Sequence, residues 1–453
     1  MTFDAARLAE LLAEYGIPSA AVGILRDGRR TEFAVGVKNV ETREPATTET
    51  VYQCGSMTKT WTALAFLQLV GEGKADLDEP VRTYLPGFAV ADPVTSAQVT
   101  PRQLLNHTNG IEESYGDPGE GDDVCARMAE NIADAPQVFP LGRTHGYSAA
   151  LGYAILARIL EVADGKTWDG LMRDRLFAPM GLTSTNTRPE QVDATRAATG
   201  HLIRSPAEGP IVTPIDHLPR AYGPGGGITS TAGEVLALAH VLLNDGVAAN
   251  GTRILPAELL REMKSSRVPV PDPLLFGPEW ALGLIVCDWH GETVYATDGS
   301  TIGQNARLRV LPESKTAVAI LTNGGPRESF CRKVFSEVLT EAAVPALPAP
   351  DPARKLDPSR YEGVYERPGA RYEVSAESGK LHLTLAIDPG QADFLGKPHR
   401  VRYELLPVSD TLFLLPPADP LEDTQSVAMY DFADGRARYL HTNCRVHPRV
   451  TPA

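Results

Sequence analysis

The chain has 453 residues, 43% hydrophobic and 22% charged, the make-up of a soluble globular protein too long for one ordinary domain. Its 57 acidic residues outnumber 43 basic ones, and the net charge of −14 argues against nucleic-acid partners and against anionic membranes. No apolar run approaches the ~18 residues of a membrane span. The five cysteines (Cys54, Cys125, Cys287, Cys331, Cys444) are odd in number, widely spaced and without metal spacing, which fits reduced thiols.

The first stretch, MTFDAARLAELLAEYG, has no basic start and no apolar core. It predicts an amphipathic helix burying Leu8, Leu11, Leu12 and Tyr15 rather than a signal peptide, and hence a cytoplasmic protein. Residues 20–25 and 31–37 flank Asp27-Gly28 and predict a β-hairpin. The apolar run 60–70 predicts a buried helix with Gly55 and Ser56 at its start. From about 56 to 275 the pattern is mainly helical. Strands are predicted again at 281–288, 292–296, 306–311 and 317–322, and a closing helix at 329–343. The early and late strands must pair, because neither group can cover its apolar face alone. The fold class expected is α/β (α+β): an antiparallel sheet flanked by helices, with an inserted helical lobe.

A Pro-rich stretch starting at Val344 reads as a stiff linker. The expected division is therefore 1–345, a linker at 346–357, and 358–453. The last part holds eight short strand candidates, 361–365, 371–376, 380–385, 402–407, 411–415, 426–432, 438–441 and 445–450, divided by turn signals such as Ser378-Gly379 and Asp434-Gly435. This pattern predicts an up-and-down antiparallel barrel.

Ser56-Met57-Thr58-Lys59 carries the chemistry. Three apart, Ser56 and Lys59 share a helix face. A serine hydroxyl is a poor nucleophile without a neighbouring base, and a lysine can serve as one. At a helix start, free amides also favour developing negative charge. A capping serine beside an exposed lysine would give the same spacing. Cys54 could compete as nucleophile, but no base is spaced to activate it. Further landmarks follow: Leu104-Leu105-Asn106-His107-Thr108-Asn109-Gly110, Tyr147-Ser148 ahead of a helical pattern from Leu151, Gly225-Gly226-Gly227 ahead of another, and Thr297-Asp298-Gly299-Ser300 after a strand. The glycine run lacks the Lys-Ser/Thr ending of a phosphate loop, and the ten histidines show no metal spacing.

In this order the landmarks resemble the serine β-lactamase and penicillin-binding-protein superfamily, over about residues 5 to 343. The branch most similar holds class C β-lactamases, family VIII esterases, D-aminopeptidases and peptide cyclases. The resemblance implies Ser56 as nucleophile, Lys59 as its base and Tyr147 as third catalytic group. It implies the backbone amides of Ser56 and Ser300 as oxyanion hole, and a substrate-binding strand at Thr297, Asp298 and Gly299. It implies no cofactor and no metal. His107 matches a structural histidine, and His145 lines the cleft or packs nearby. Two positions depart from the pattern. Ala149 stands where the family carries Asn, and Thr297 stands where it carries Lys, His or Trp. With no cation at 297, a substrate carboxylate near the scissile bond is not expected to be required. The barrel is similar to the lipocalin-like barrel appended to some members; it would bind a ligand, shape the active-site entrance or act as a structural cap. The expected function is acyl transfer through acyl-Ser56, hydrolysing a small-molecule or peptide ester or amide. The alternative is biosynthetic transfer to an amine acceptor, including peptide cyclisation. A non-catalytic binding module on the same fold is the third reading. No nucleic-acid or membrane partner is expected.

Overall fold

Asp4 accepts the amide of Arg7 and so caps helix α1 (Ala5–Tyr15), which Gly16 ends in the left-handed region at φ 65°. The structure, a computed structural model, describes residues 3–112, 119–203, 209–340, 342–386, 399–415, 417 and 423–450. Leu8, Leu11 and Leu12 form the buried face of α1, while Tyr15 packs at its margin. Strands β1 (Ser19–Arg26) and β2 (Arg29–Gly36) make the expected hairpin, with Asp27 and Gly28 both at positive φ (48° and 76°), as a two-residue turn requires.

Helix α2 (Thr58–Gly71) is buried from Thr58 through Leu67, so it lies inside the molecule rather than on its surface. Helices α3 (Leu151–Asp164) and α4 (Ala232–Leu243) pack in the same core cluster. Strands β3 (Ile285–Trp289), β4 (Glu292–Thr301), β5 (Gln304–Leu311) and β6 (Thr316–Thr322) follow, then helix α5 (Glu328–Val338). β1 pairs antiparallel with β6, Ala20 opposite Thr322. The sheet therefore runs β2-β1-β6-β5-β4-β3, and the two-residue strands Glu279–Trp280 and Val268–Pro269 extend its edge. Every residue of β6 is buried. Val318 and Ile320 face α1 and α5, whereas Ala319 and Leu321 face the core that holds α2 and α4. The sheet is thus covered on both sides.

Two expected elements are shorter in the structure. Residues 281–284 form a tight turn, with the Ala281 amide donating to the Leu284 carbonyl at 2.7 Å and Gly283 at φ 76°, so pairing begins only at Ile285. The closing helix ends at Val338, and residue 341 of the expected span lies outside the described residues.

Residues 343–357 carry no helix or strand. Nine strands then build a nearly closed antiparallel barrel: β7 (Gly363–Arg367), β8 (Ala370–Glu377), β9 (Lys380–Ala386), β10 (Arg400–Glu404), β11 (Leu406–Pro407), β12 (Leu412–Leu415), β13 (Gln425–Ala433), β14 (Arg436–Thr442) and β15 (Arg445–Val450). The segment expected as one strand, 402–407, breaks at Leu405: β10 pairs with β9 and β11 with β12. β7 pairs with β15, which joins the two halves. Tyr361, Tyr365, Leu383, Phe413, Val427 and Met429 fill the barrel interior.

Polar contacts tie barrel to body. Arg367 on β7 forms a bidentate pair with the fully buried Glu112 at 2.6 and 3.1 Å. Arg143 pairs with Asp431 at 2.6 Å, and the Ser426 hydroxyl lies 2.7 Å from the buried Asp272 carboxylate. No helix among the described residues is long and apolar enough to cross a membrane.

Candidate active site

Gly55–Met57 is a single 3-10 turn feeding into α2, so Ser56 sits one turn ahead of the helix proper. Two glycines let this turn abut β4. A Cβ on Gly55, at φ 52°, would lie 2.6 and 2.7 Å from the N and O of Ser300. A Cβ on Gly299 would lie 1.8 Å from the Cys54 carbonyl oxygen and 2.8 Å from the Ser56 nitrogen. Any side chain at either position would force the two backbones apart. The ladder between β4 and β3 ends at Ala296 opposite Ile285, so beyond it the edge of β4 is open beside Ser56. The N and O of Ser300 both face the turn. The Ser56 and Ser300 amides thus flank one seam, an arrangement suited to a developing oxyanion.

Lys59 is buried, and its Nζ lies 3.3 Å from Ser56 Oγ. It also donates to the carbonyls of Ala149 at 2.6 Å and Gly225 at 2.7 Å. Those carbonyls occupy two of the three tetrahedral sites of the amine. Ser56 Oγ lies on a further side of the same amine, within reach of proton exchange. Ala149, which stands where the family carries Asn, therefore meets the lysine through its backbone. α2 also holds the glycine segment in place: Thr62 donates to the Pro224 carbonyl at 2.8 Å, and the Ile228 amide donates to Thr58 Oγ1 at 3.0 Å. Gly225, Gly226 and Gly227 do not have positive φ. Close packing is what Gly225 provides, since a Cβ there would lie 2.5 Å from the Ala149 oxygen and 3.3 Å from Lys59 Nζ.

The Tyr147 ring centroid is 4.8 Å from Lys59 Nζ. Around that ring stand His107 at 4.5 Å, Phe276 at 4.9 Å and Trp280 at 5.5 Å. His107 is fully buried at φ 59°, and its Nδ1 accepts the Ser148 amide at 3.1 Å, which leaves Nε2 to carry the proton of the neutral ring. Burial and the neighbouring His145, Lys59 and Arg445 hold the imidazole well below its usual pKa, so it stays uncharged and positions the Tyr147-Ser148 backbone.

The barrel reaches this place. Asn443 and Cys444, at φ 48° and 67°, form the tight turn between β14 and β15. The Tyr147 amide donates to the Cys444 carbonyl at 3.2 Å, and the Arg445 guanidinium carbon lies 5.2 Å from the Tyr147 ring centroid. Sequence reasoning missed Arg445. Asn443 after a strand signals a turn, but nothing local says where that turn lands.

One expected substrate contact points elsewhere. Asp298 is turned to the opposite side of β4, where Arg309 clamps its carboxylate and Arg307 approaches at 3.5 Å, because alternate residues of a strand face opposite ways. His145 does not line the cleft. It is fully buried, its ring 5.5 Å from Trp280, 5.7 Å from His107 and 6.5 Å from His441 of the barrel. Thr297 shares the Gly299 side of β4, but its hydroxyl is 2.8 Å from that of Thr60 on α2. The Ser300 hydroxyl donates to Asn305 Oδ1 at 2.9 Å, which leaves the amide as this residue's contribution. Burial pushes the Cys54 thiol up to about 12, far from a thiolate nucleophile. Among the described residues no group of three or more His, Cys, Asp or Glu could hold a metal ion.

A covered antiparallel sheet, a helical lobe and a serine–lysine pair at the start of a buried helix define a β-lactamase/transpeptidase-like protein. The chain belongs to the beta-lactamase family, whose profile matches residues 5–339. It is 40% identical over 380 residues to penicillin-binding protein 4 of Amycolatopsis lactamdurans, covering 82% of this chain and 99% of that one. The crystal structure of SurE matches with TM-score 0.79 and 27% identity over 98% of both chains. D-amino acid amidase from Ochrobactrum anthropi SV3 shares the fold at TM-score 0.63 and 21% identity, over 74% of this chain and 96% of that one. Members of this family are generally serine hydrolases or acyl-transferases.

Proposed function

We propose that the protein is a serine acyl-transfer enzyme acting through acyl-Ser56. The observation that carries this reading is the 3.3 Å approach of Lys59 Nζ to Ser56 Oγ, with two carbonyls orienting the amine. Ser56 Oγ attacks an ester or amide carbonyl carbon while its proton passes to Lys59. The carbonyl oxygen, now anionic, lies between the Ser56 and Ser300 amides. The leaving group departs with that proton, returned from Lys59 by way of Tyr147, leaving an ester on Ser56. Water or an amine then attacks that ester, and Ser56 recovers its proton. A positioned general base typically contributes ~10²–10⁴ in rate.

Arg445 extends the reading to the substrate. Thr297 offers no cation, yet the barrel turn brings one to the ring of Tyr147. Arg445 would hold a substrate carboxylate there, in place of the missing residue at 297. On this reading a substrate carboxylate is recognised by Arg445 and not from position 297. A peptide or amino-acid derivative fits this charge. SurE is described with D-Leu, which makes D-configured residues the first to try.

Intact-protein mass after incubation with a fluorophosphonate, and separately with a p-nitrophenyl ester, tests the core of this reading. The wild type is expected to gain one adduct and Ser56→Ala none. Labelling that survives in Ser56→Ala would place the nucleophile elsewhere. Products formed with and without added amines then separate transfer from hydrolysis.

A further inference from the structure

The Gly299 carbonyl and the Ser300 amide belong to one peptide unit. Ser300 N faces the turn that bears Ser56. The Gly299 oxygen faces the other way and accepts Arg307 Nη1 at 3.0 Å. We propose that Arg307 is a positioning residue for the Ser300 amide, and that the barrel holds Arg307 in place through Asp423, the first turn of α5 and Glu328. This rests on reading the Ser56 and Ser300 amides as the oxyanion hole.

A guanidinium donating to a peptide oxygen draws charge from the nitrogen end. The N–H on that end becomes a stronger donor, and the plane of the peptide is fixed. Arg307 is almost fully buried and is held on several sides. The same Nη1 reaches the Ala306 carbonyl at 2.9 Å, Nη2 donates to Glu328 Oε1 at 2.6 Å, and Nε lies 3.5 Å from Asp298 Oδ2. Asp298 is in turn clamped by Arg309. Asp298 and Glu328 thus face Arg307 and Arg309, with Arg327 a further 3.8 Å from Glu328, while one cationic N–H of Arg307 remains aimed at Gly299.

Glu328 opens α5, and the barrel caps that helix. The amides of Arg327, Glu328 and Ser329 all donate to the Asp423 carboxylate, at 3.0, 3.0 and 2.9 Å, and the Ser329 hydroxyl donates to it at 3.0 Å. Asp423 lies just ahead of β13. A carboxylate is the favoured group on a helix N-terminus, where it satisfies amides that lack intrahelical partners. Removing it loosens the turn that carries Glu328, and with it the lateral hold on Arg307. The same barrel that brings Arg445 to Tyr147 thereby also reaches β4.

The infrared carbonyl stretch of acyl-Ser56, formed from a ¹³C-labelled p-nitrophenyl ester, reads the donor strength of the hole directly. It would be recorded for the wild type, Glu328→Gln, Asp423→Ala and Arg307→Lys, alongside the pre-steady-state acylation rate. The expected result is a shift to higher wavenumber and roughly tenfold slower acylation in Glu328→Gln, a smaller change in the same direction in Asp423→Ala, and unchanged KM in both. Arg307→Lys is expected to retain part of the wild-type shift if it folds; the other two variants leave the buried guanidinium in place and keep the test independent of that outcome. A carbonyl band at the wild-type position in folded Glu328→Gln and Asp423→Ala, with wild-type acylation, would overturn the proposal. A wild type that never forms acyl-Ser56 would overturn the serine reading itself and this inference with it.

Discussion

The amide of Tyr147 donates to the carbonyl of Cys444 at 3.2 Å, so a residue of the site and the tip of a barrel hairpin share a backbone hydrogen bond. The next residue, Arg445, lies over the Tyr147 ring. Arg445→Met is expected to raise KM about 10- to 100-fold for substrates with a free carboxylate, the worth of one charge-assisted hydrogen bond. Substrates lacking the carboxylate should change little. Steady-state kinetics on a matched acid and methyl ester pair checks this, and equal effects on both would sink it.

Gly299→Ala should abolish acylation. Its Cβ would lie 1.8 Å from the Cys54 oxygen, and the strand must move away from Ser56 to make room. Gly87→Ala is the control: nothing lies within 4 Å of a Cβ there, and its φ is not positive. Fluorophosphonate labelling is expected to vanish in the first variant and persist in the second.

Arg367→Ala removes the bidentate partner of Glu112, which is fully buried. Taking one partner from a buried pair costs about 3–5 kcal/mol. Arg400→Ala breaks an exposed pair with Glu373, and such pairs are worth less than about 1 kcal/mol. Urea denaturation of the two variants is expected to show that contrast.

Stability should fall as pH drops below 6.5. Burial, with Arg445 nearby, pushes the fully buried His441 down to about 3. In the folded protein it remains neutral, whereas in the unfolded chain it gains a proton near its ordinary pKa. Its contribution is therefore complete above about 6.5 and is lost progressively towards 3. By pH 5 this one residue costs about 2 kcal/mol. Comparing urea midpoints at pH 7 and 5 for the wild type and His441→Leu checks this: the variant should show the smaller loss.

The sequence showed some parts of this molecule clearly and others not at all. Alternation and turn residues are local, so Asp27-Gly28 marked its hairpin and the late strands appeared near their true positions. The spacing of Ser56 and Lys59 is also local. What holds Lys59 is not: the carbonyls of Ala149 and Gly225 come from a loop and a short helical turn far along the chain, and any residue type has a carbonyl. The same reason hid the strand break at Leu405 and the approach of Arg445, and left two places open for His145. Each depends on which surfaces meet, and a single sequence does not print that.

The pairing of Ala20 with Thr322 has a consequence for the order in which the molecule forms. A contact between positions so distant closes late, because most of the intervening chain must first be brought together. Barrel neighbours such as β8 and β9 meet across a few residues and can form early. During synthesis the N-terminal hairpin must wait for β6 to emerge, and the seam beside Ser56 cannot exist until β4 has docked. The nucleophile is therefore made long before the strand that completes its site.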